Sequence, residues 1–197
     1  MGLDKWSVAF WLEANAKNSI SSYEVHRALG ITQKSAWFMQ DRIRLAMQTG
    51  TFEKMGVGSS GGVEVDEMYH GGLYQFMHKS KREKQKSGRG SNTKTAVIGM
   101  IERKGSKKHS TVRTQVVHDT TRKTIREIID RNVENEADVY TDKYKGYWGL
   151  SDQYIHETID HAIEYVNGLV HTNGIENFWS LFKRCVKGTH VSIEPFH

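Results

Sequence analysis

The sequence predicts an α/β protein, a mixed β-sheet flanked by helices and preceded by a small helical region. Three observations carry that expectation. Apolar residues recur at helical spacing through residues 1–50. A Gly-Val-Gly-Ser-Ser-Gly-Gly tract at 56–62 then interrupts the pattern and reads as a flexible joint. Beyond it come three strand-like segments, then an alternation of helix and strand, which is the order that builds a mixed sheet covered by helices. The expected organisation is a helical region over 1–50, a linker over 51–62 and the α/β domain over 63–197.

Taken in order, Trp6, Phe10, Trp11 and Ala14 give the first helix an apolar face. Ser21-Ser22-Tyr23-Glu24 offers a cap with an acid in the first turn, and Tyr23, Val25, Ala28 and Leu29 form the next face. Gly30 ends that helix, and Thr32 caps another that carries Ala36, Trp37, Met39, Ile43 and Ala46. Helix, short turn and helix is the layout of a helix-turn-helix, which would present Gln33 and Lys34 to a DNA groove. It is equally the layout of a plain α-hairpin, and spacing leaves both open. Past the joint, 62–69, 95–102 and 110–118 read as strands. Residues 120–133 read as a helix with Ile125, Ile128 and Ile129 on one face, capped by Thr120 or Thr121. Short strands at 138–141 and 155–159 flank a helical segment, and a final helix over 175–186 carries Ile175, Phe178, Trp179 and Phe182.

Composition narrows the functional classes. With 37% hydrophobic and 26% charged residues among 197, the chain suits a globular protein with a sizeable core. No apolar run approaches the roughly 18 residues of a membrane span, and residues 1–12 lack the pattern of a secretory signal. The expected compartment is the cytoplasm, with no membrane partner. The single cysteine, Cys185, excludes an intrachain disulfide and a cysteine-rich zinc site within these residues. The net charge of +5 points weakly to nucleic acid, but its clustering points harder. Lys79, Lys81, Arg82, Lys84, Lys86, Arg89 and Lys94 face the single acid Glu83. Such a run is either a solvated loop or an arm that neutralises phosphates and releases counterions.

Three acids stand at informative places. Asp66 lies within the strand Val63-Glu64-Val65-Asp66-Glu67, where alternation puts Glu64 and Asp66 on one face and Val63, Val65 and Glu67 on the other. An acid in a half-buried strand is costly unless it is paired or holds a cation. Asp142 follows a short strand, at the end where open α/β sheets build their sites. Glu176 opens the last helix, and Lys183 lies seven residues on, two turns along the same face. Each acid alone is an ordinary surface charge or cap, whereas the three together on these elements suggest a shared site.

At this point the sequence resembles a known family. His171-Thr172-Asn173-Gly174-Ile175-Glu176-Asn177-Phe178-Trp179-Ser180, with Lys183-Arg184 and Gly188-Thr189-His190, is similar to the signature of ISXO-two-like insertion-sequence transposases. Val63-Glu64-Val65-Asp66-Glu67 with Gly71-Gly72 resembles that family's first acidic strand, and Tyr140-Thr141-Asp142 with Tyr144 and Tyr147 its second. Residues 32–39 and Arg42-Ile43-Arg44 resemble the segment before its catalytic domain. The resemblance implies a ribonuclease-H-like fold, a DDE-type metal site and DNA strand transfer.

It further implies that Asp66 bridges two Mg²⁺ ions (Mn²⁺ as a substitute), that Asp142 holds one and that Glu176 holds the other. Lys183 would contact a phosphate near the scissile bond. Asn173 stands as the alternative third ligand, although a carboxylate binds Mg²⁺ more strongly than an amide. Glu64 becomes a supporting group, and His171 a cap or packing residue of the last helix. The implied partners are double-stranded DNA, as transposon ends and as target, and further copies of the chain. DNA contacts are expected from Gln33, Lys34, Lys81, Arg82, Lys84, Lys86 and Arg184. Relatives carry a cysteine-rich zinc ribbon ahead of the helical region and continue beyond the segment equivalent to 191–192, so a chain truncated at both ends is expected. Two alternatives remain open here, a ribonuclease-H-like nuclease that only hydrolyses and an inactive, domesticated DNA-binding protein.

Overall fold

The structure, a computed structural model, describes residues 1–47, 53–57, 61–71, 79, 94–105, 109–159 and 171–190. It divides into a smaller unit, Met1–Phe52 with Ser180–Ile193, and a larger one built on Glu53–Trp179.

The smaller unit contains α1 (Leu3–Asn15), α2 (Ser22–Leu29) and α3 (Gln33–Met47). Ser21 and Glu24 open α2 with a reciprocal capping box: the Ser21 hydroxyl accepts from the Glu24 N–H, and the Glu24 carboxylate accepts from the Ser21 N–H. Gly30 closes the helix in the left-handed region, at φ 58°. The Thr32 hydroxyl then accepts from the Ser35 N–H at 3.1 Å to start α3. The core here is Ala9, Val25, Ala36, Met39 and Ile43, with Trp6, Ile20, Leu29 and Ile31 packed against it. Gln40 is buried within this unit and satisfied, donating to Glu13 and to the Ile20 carbonyl. Phe10, Trp11, Tyr23 and Trp37, expected on inner faces, are instead largely exposed. Small Ala9 and Ala36 take the contact positions, and their bulky neighbours in sequence are turned outward.

The larger unit contains β1 (Val63–His70), β2 (Thr95–Glu102), β3 (Thr111–Val117), α4 (Arg122–Asn132), β4 (Asp138–Asp142) and β5 (Ile155–Ile159). The last helix, α5 (Asn173–Cys185), starts in this unit. The sheet order is β3-β2-β1-β4-β5. The first three strands pair antiparallel, and β4 and β5 join β1 in parallel. This is the ribonuclease-H-like arrangement that the resemblance implied. The helical segment between β4 and β5 consists of two 3₁₀ turns, Lys145–Tyr147 and Leu150–Asp152. Within the glycine-rich approach to β1, Met55 is buried and bridges Val133; its N–H donates to the Asn132 carbonyl at 2.7 Å. Among the described residues no helix is long and apolar enough to cross a membrane.

Strand alternation gives β1 two distinct faces. Val63 and Val65 join the core with Ile125, Ile128, Ile129 and Tyr147. The opposite face carries Glu64 and Asp66 and is covered by α5 through buried Ile175 and Trp179. Gly99, paired with Asp66 across β1 and β2, permits that approach, since a Cβ there would stand 2.3 Å from the Trp179 ring. Gly99→Ala should therefore destabilise the larger unit by about 1–3 kcal/mol through overpacking. Gly188→Ala, whose added methyl meets nothing within 4 Å, should not lower stability. Thermal unfolding of the two variants checks this, and an unchanged melting temperature for Gly99→Ala would contradict the close approach.

Candidate active site

The parallel register sets Val63 beside Val139 and Glu64 beside Tyr140. Two residues further along these strands come Asp66 and Asp142, on the same face, with Asp142 ending β4. Glu176 arrives from the first turn of α5. Asp142 and Glu176 both stand close enough to Asp66 to act on its charge. Burial pushes the Asp66 carboxyl up from 3.8 to about 7, and the charges of Glu67, Asp142 and Glu176 add to the rise. Glu67, on the opposite face of β1, is also raised, chiefly by burial and against a hydrogen bond donated by the Tyr147 hydroxyl at 2.5 Å.

A second set of residues fixes where α5 begins. Glu64 is 1% exposed. One of its oxygens accepts from Arg103 Nε at 2.7 Å, and the other accepts from the Ile175 N–H at 2.9 Å, in the first turn of α5. The carboxylate thus satisfies a helix N–H that has no partner within the helix, at the positive end of its dipole. Arg103 Nη2 donates to the His171 carbonyl at 2.6 Å and stands 3.0 Å from His171 Nδ1. Its guanidinium also lies over the Tyr140 ring, 4.4 Å from the centroid. Gly174 leaves room for this arrangement, because a Cβ there would sit 2.9 Å from a Glu64 oxygen. Thr172 completes the turn: its carbonyl accepts from the Glu176 N–H, and its hydroxyl donates to Glu176 Oε1 at 2.9 Å.

Asn173, outside the helix expected over 175–186, is in fact the first residue of α5. The helix starts earlier because Thr172 and Glu64 satisfy its opening N–H groups. Lys183 and Arg184 lie in the last turn of the same helix and are exposed. Gln33, the first residue of α3, donates its side-chain amide to Ser22 at 2.8 Å, whereas Lys34 is exposed. Lys81, Arg82, Lys84 and Lys86 lie outside the described residues. Sequence reasoning missed Arg103, Gly174 as a spacer, and the Glu67–Tyr147 pair. A signal for Arg103 was present, since a glutamate on the inward face of a strand demands a cation.

Carboxylate oxygens are the hard donors that a divalent ion such as Mg²⁺ takes, and Asp66, largely buried and beside other acids, lacks the charge such an ion supplies. The donor chemistry therefore fits. Among the described residues, however, no three His, Cys, Asp or Glu side chains are grouped closely enough to close around one ion. Burial of Asp66, with the charges of the neighbouring acids added to it, has a measurable consequence. Between pH 3.8 and about 7 the folded Asp66 binds more proton than the unfolded residue does. Its contribution to stability is therefore complete at low pH and lost as pH rises through about 7. In chelator, Asp66→Asn should melt higher than the parent near pH 8, and the two should converge near pH 4. A constant difference across that range would contradict the crowding.

The site and its scaffold can be set beside known proteins. No curated protein matches the chain. Residues 59–197, well over half of its length, match the family described as the ISXO2-like transposase domain. The matched span takes in the whole sheet and the three acids, and families of this DDE type typically use divalent metal ions and act on DNA. The chain belongs to the ISXO2-like transposase domain family.

Proposed function

We propose that this chain cuts DNA at the ends of an insertion sequence and joins the released 3′ ends to target DNA, with Asp66, Asp142 and Glu176 as its metal ligands. The observation that carries this reading is the placement of Asp66 and Asp142 on one face of the paired strands β1 and β4, with Glu176, in the first turn of α5, near enough to add its charge at Asp66. The family membership supports the DNA substrate. Mg²⁺, or Mn²⁺ in its place, is the ion assigned, and a pair of such ions supplies charge neutralisation on the phosphoryl group and a lowered pKa for the attacking oxygen.

The chemistry asks the chain mainly to position and to hold. In the first step water attacks the phosphorus at the transposon end, breaking the bond to the 3′ oxygen and leaving a 3′-hydroxyl and a 5′-phosphate. In the second, that hydroxyl attacks a phosphodiester of target DNA, forming a new bond to phosphorus and expelling the target's own 3′-hydroxyl. The anchored first turn of α5 keeps the Glu176 carboxylate from having to find its place at each step. Lys34, Lys183 and Arg184 supply cations for the DNA backbone, as does the basic tract with Lys81, Arg82, Lys84 and Lys86. Gln33 joins them at the start of α3. Handling two ends at once calls for at least two copies of the chain. The helical region, residues 1–50, serves DNA binding and the residues from 63 onward serve catalysis.

The test is a charge-removal series. Asp66→Asn, Asp142→Asn and Glu176→Gln should each lower Mg²⁺-dependent plasmid nicking, and the joining of a 3′-hydroxyl oligonucleotide to plasmid, on the order of 10²-fold or more. DNA affinity should hold or rise slightly, because less negative charge faces the phosphates. Asn173→Ala separates the two candidate third ligands: loss of cleavage there, with Glu176→Gln active, would overturn the assignment of Glu176. Cleavage without any joining would reduce the proposal to a hydrolytic nuclease, and wild-type cleavage by Asp66→Asn would end it.

A further inference from the structure

The loop after β4 is pinned at several points. The Tyr144 N–H donates to Asp142 Oδ1 at 2.9 Å, and the Tyr144 hydroxyl donates to the Thr120 carbonyl at 3.2 Å. Tyr147 is fully buried, with its hydroxyl on Glu67. Arg126, from α4, donates to the Gly149 carbonyl. Between these anchors Trp148 leaves 60% of its surface exposed. The Lys145 ammonium stands 5.6 Å from the Trp148 ring centroid. Loop and β5 together line a cleft of about 450 Å³ whose walls include Asp142, Lys143, Tyr144, Trp148 and His156.

Asp142 is a wall of this cleft as well as one of the three acids of the proposed site, so the cleft adjoins that site at the end of β4. An exposed indole on a rigid loop is a stacking platform, since holding it in place ahead of binding removes much of the ordering cost. Lys143 and Lys145 give its surroundings the charge that suits an anionic partner, and the volume falls in the range of small-molecule sites. A paired base inside a duplex cannot reach such a ring, because its faces are covered by its neighbours. A base taken out of the stack can. We propose that Trp148 stacks an unpaired nucleotide of the DNA substrate beside the phosphate to be cut, making the cleft a subsite for an extruded or frayed base. The inference rests on the DNA-processing reading above and names the form of DNA that the site takes.

The experiment compares the parent with Trp148→Ala and Trp148→Phe on two DNAs, in chelator so that no strand is cut. One is a fully paired duplex, and the other is the same duplex carrying a single unpaired 2-aminopurine. The parent should bind the second DNA more tightly and quench its 2-aminopurine fluorescence. Trp148→Ala should lose that preference by roughly tenfold or more and lose the quenching, with affinity for the paired duplex retained. Trp148→Phe should keep most of both, since it preserves an aromatic face. The exposure of Trp148 makes misfolding a minor concern, and the paired-duplex affinity of the alanine variant serves as the folding control. Equal preference and quenching in the parent and Trp148→Ala, or a parent indifferent to the unpaired base, would overturn this inference and leave the transposase reading standing. A parent that binds neither DNA would overturn both.

Discussion

Glu64 is a carboxylate in the middle of a sheet, held between a guanidinium from the end of β2 and the open N-terminus of a helix. Its two oxygens are divided between them, with Arg103 at 2.7 Å and the Ile175 N–H at 2.9 Å. A charge at 1% exposure is tolerable only when paired and hydrogen-bonded, and taking away one partner of such a buried pair costs roughly 3–5 kcal/mol. The contact therefore fixes more than a local geometry. It sets where α5 starts, which turn of that helix faces the sheet, and hence that Glu176 stands near Asp66. Arg103 extends the same hold to the His171 carbonyl, so the approach to α5 and its first turn are tied to one point on β1.

The charges on that face of β1 are of two kinds, and the difference explains the site. Glu64 is compensated within the chain, by Arg103 and by the helix end. Asp66 is compensated by little more than the Glu67 N–H, and burial together with three neighbouring acids lifts it to about 7. One glutamate is structural and the next acid along the same face is left in a state that favours a proton or a cation. Burial and crowding of this kind lower stability without a counter-ion.

Much of this was legible in the sequence. The strands at 95–102 and 155–159 and the capping box at Ser21 follow from period-two alternation and cap chemistry, both local signals. The positions of Asp66 on β1, Asp142 at the end of β4 and Glu176 in the first turn of the last helix were legible for the same reason. What could not be read depended on distance in the chain. Glu64 was placed on the Asp66 face by alternation, but its helix partner lies 111 residues away. Gly99 and Gly174 are ordinary glycines until Trp179 and Glu64 are brought against them. The misjudged faces of α1 and α3 have a related cause. Apolar residues run nearly continuously through Val8-Ala9-Phe10-Trp11-Leu12 and Ala36-Trp37-Phe38-Met39, so periodicity alone cannot pick the buried side, and the small residues take it.

The proposed site makes one central demand, that Asp66, Asp142 and Glu176 hold divalent ions beside an α5 anchored by Glu64. Anomalous diffraction from crystals grown or soaked with Mn²⁺ tests it most directly. The account predicts manganese peaks at roughly 2 Å from oxygens of Asp66, shared with Asp142 and with Glu176, while the Glu64–Arg103–Ile175 contacts stay in place. Manganese bound elsewhere with none at Asp66, or a peak held by Asn173 while Glu176 points away, would contradict it.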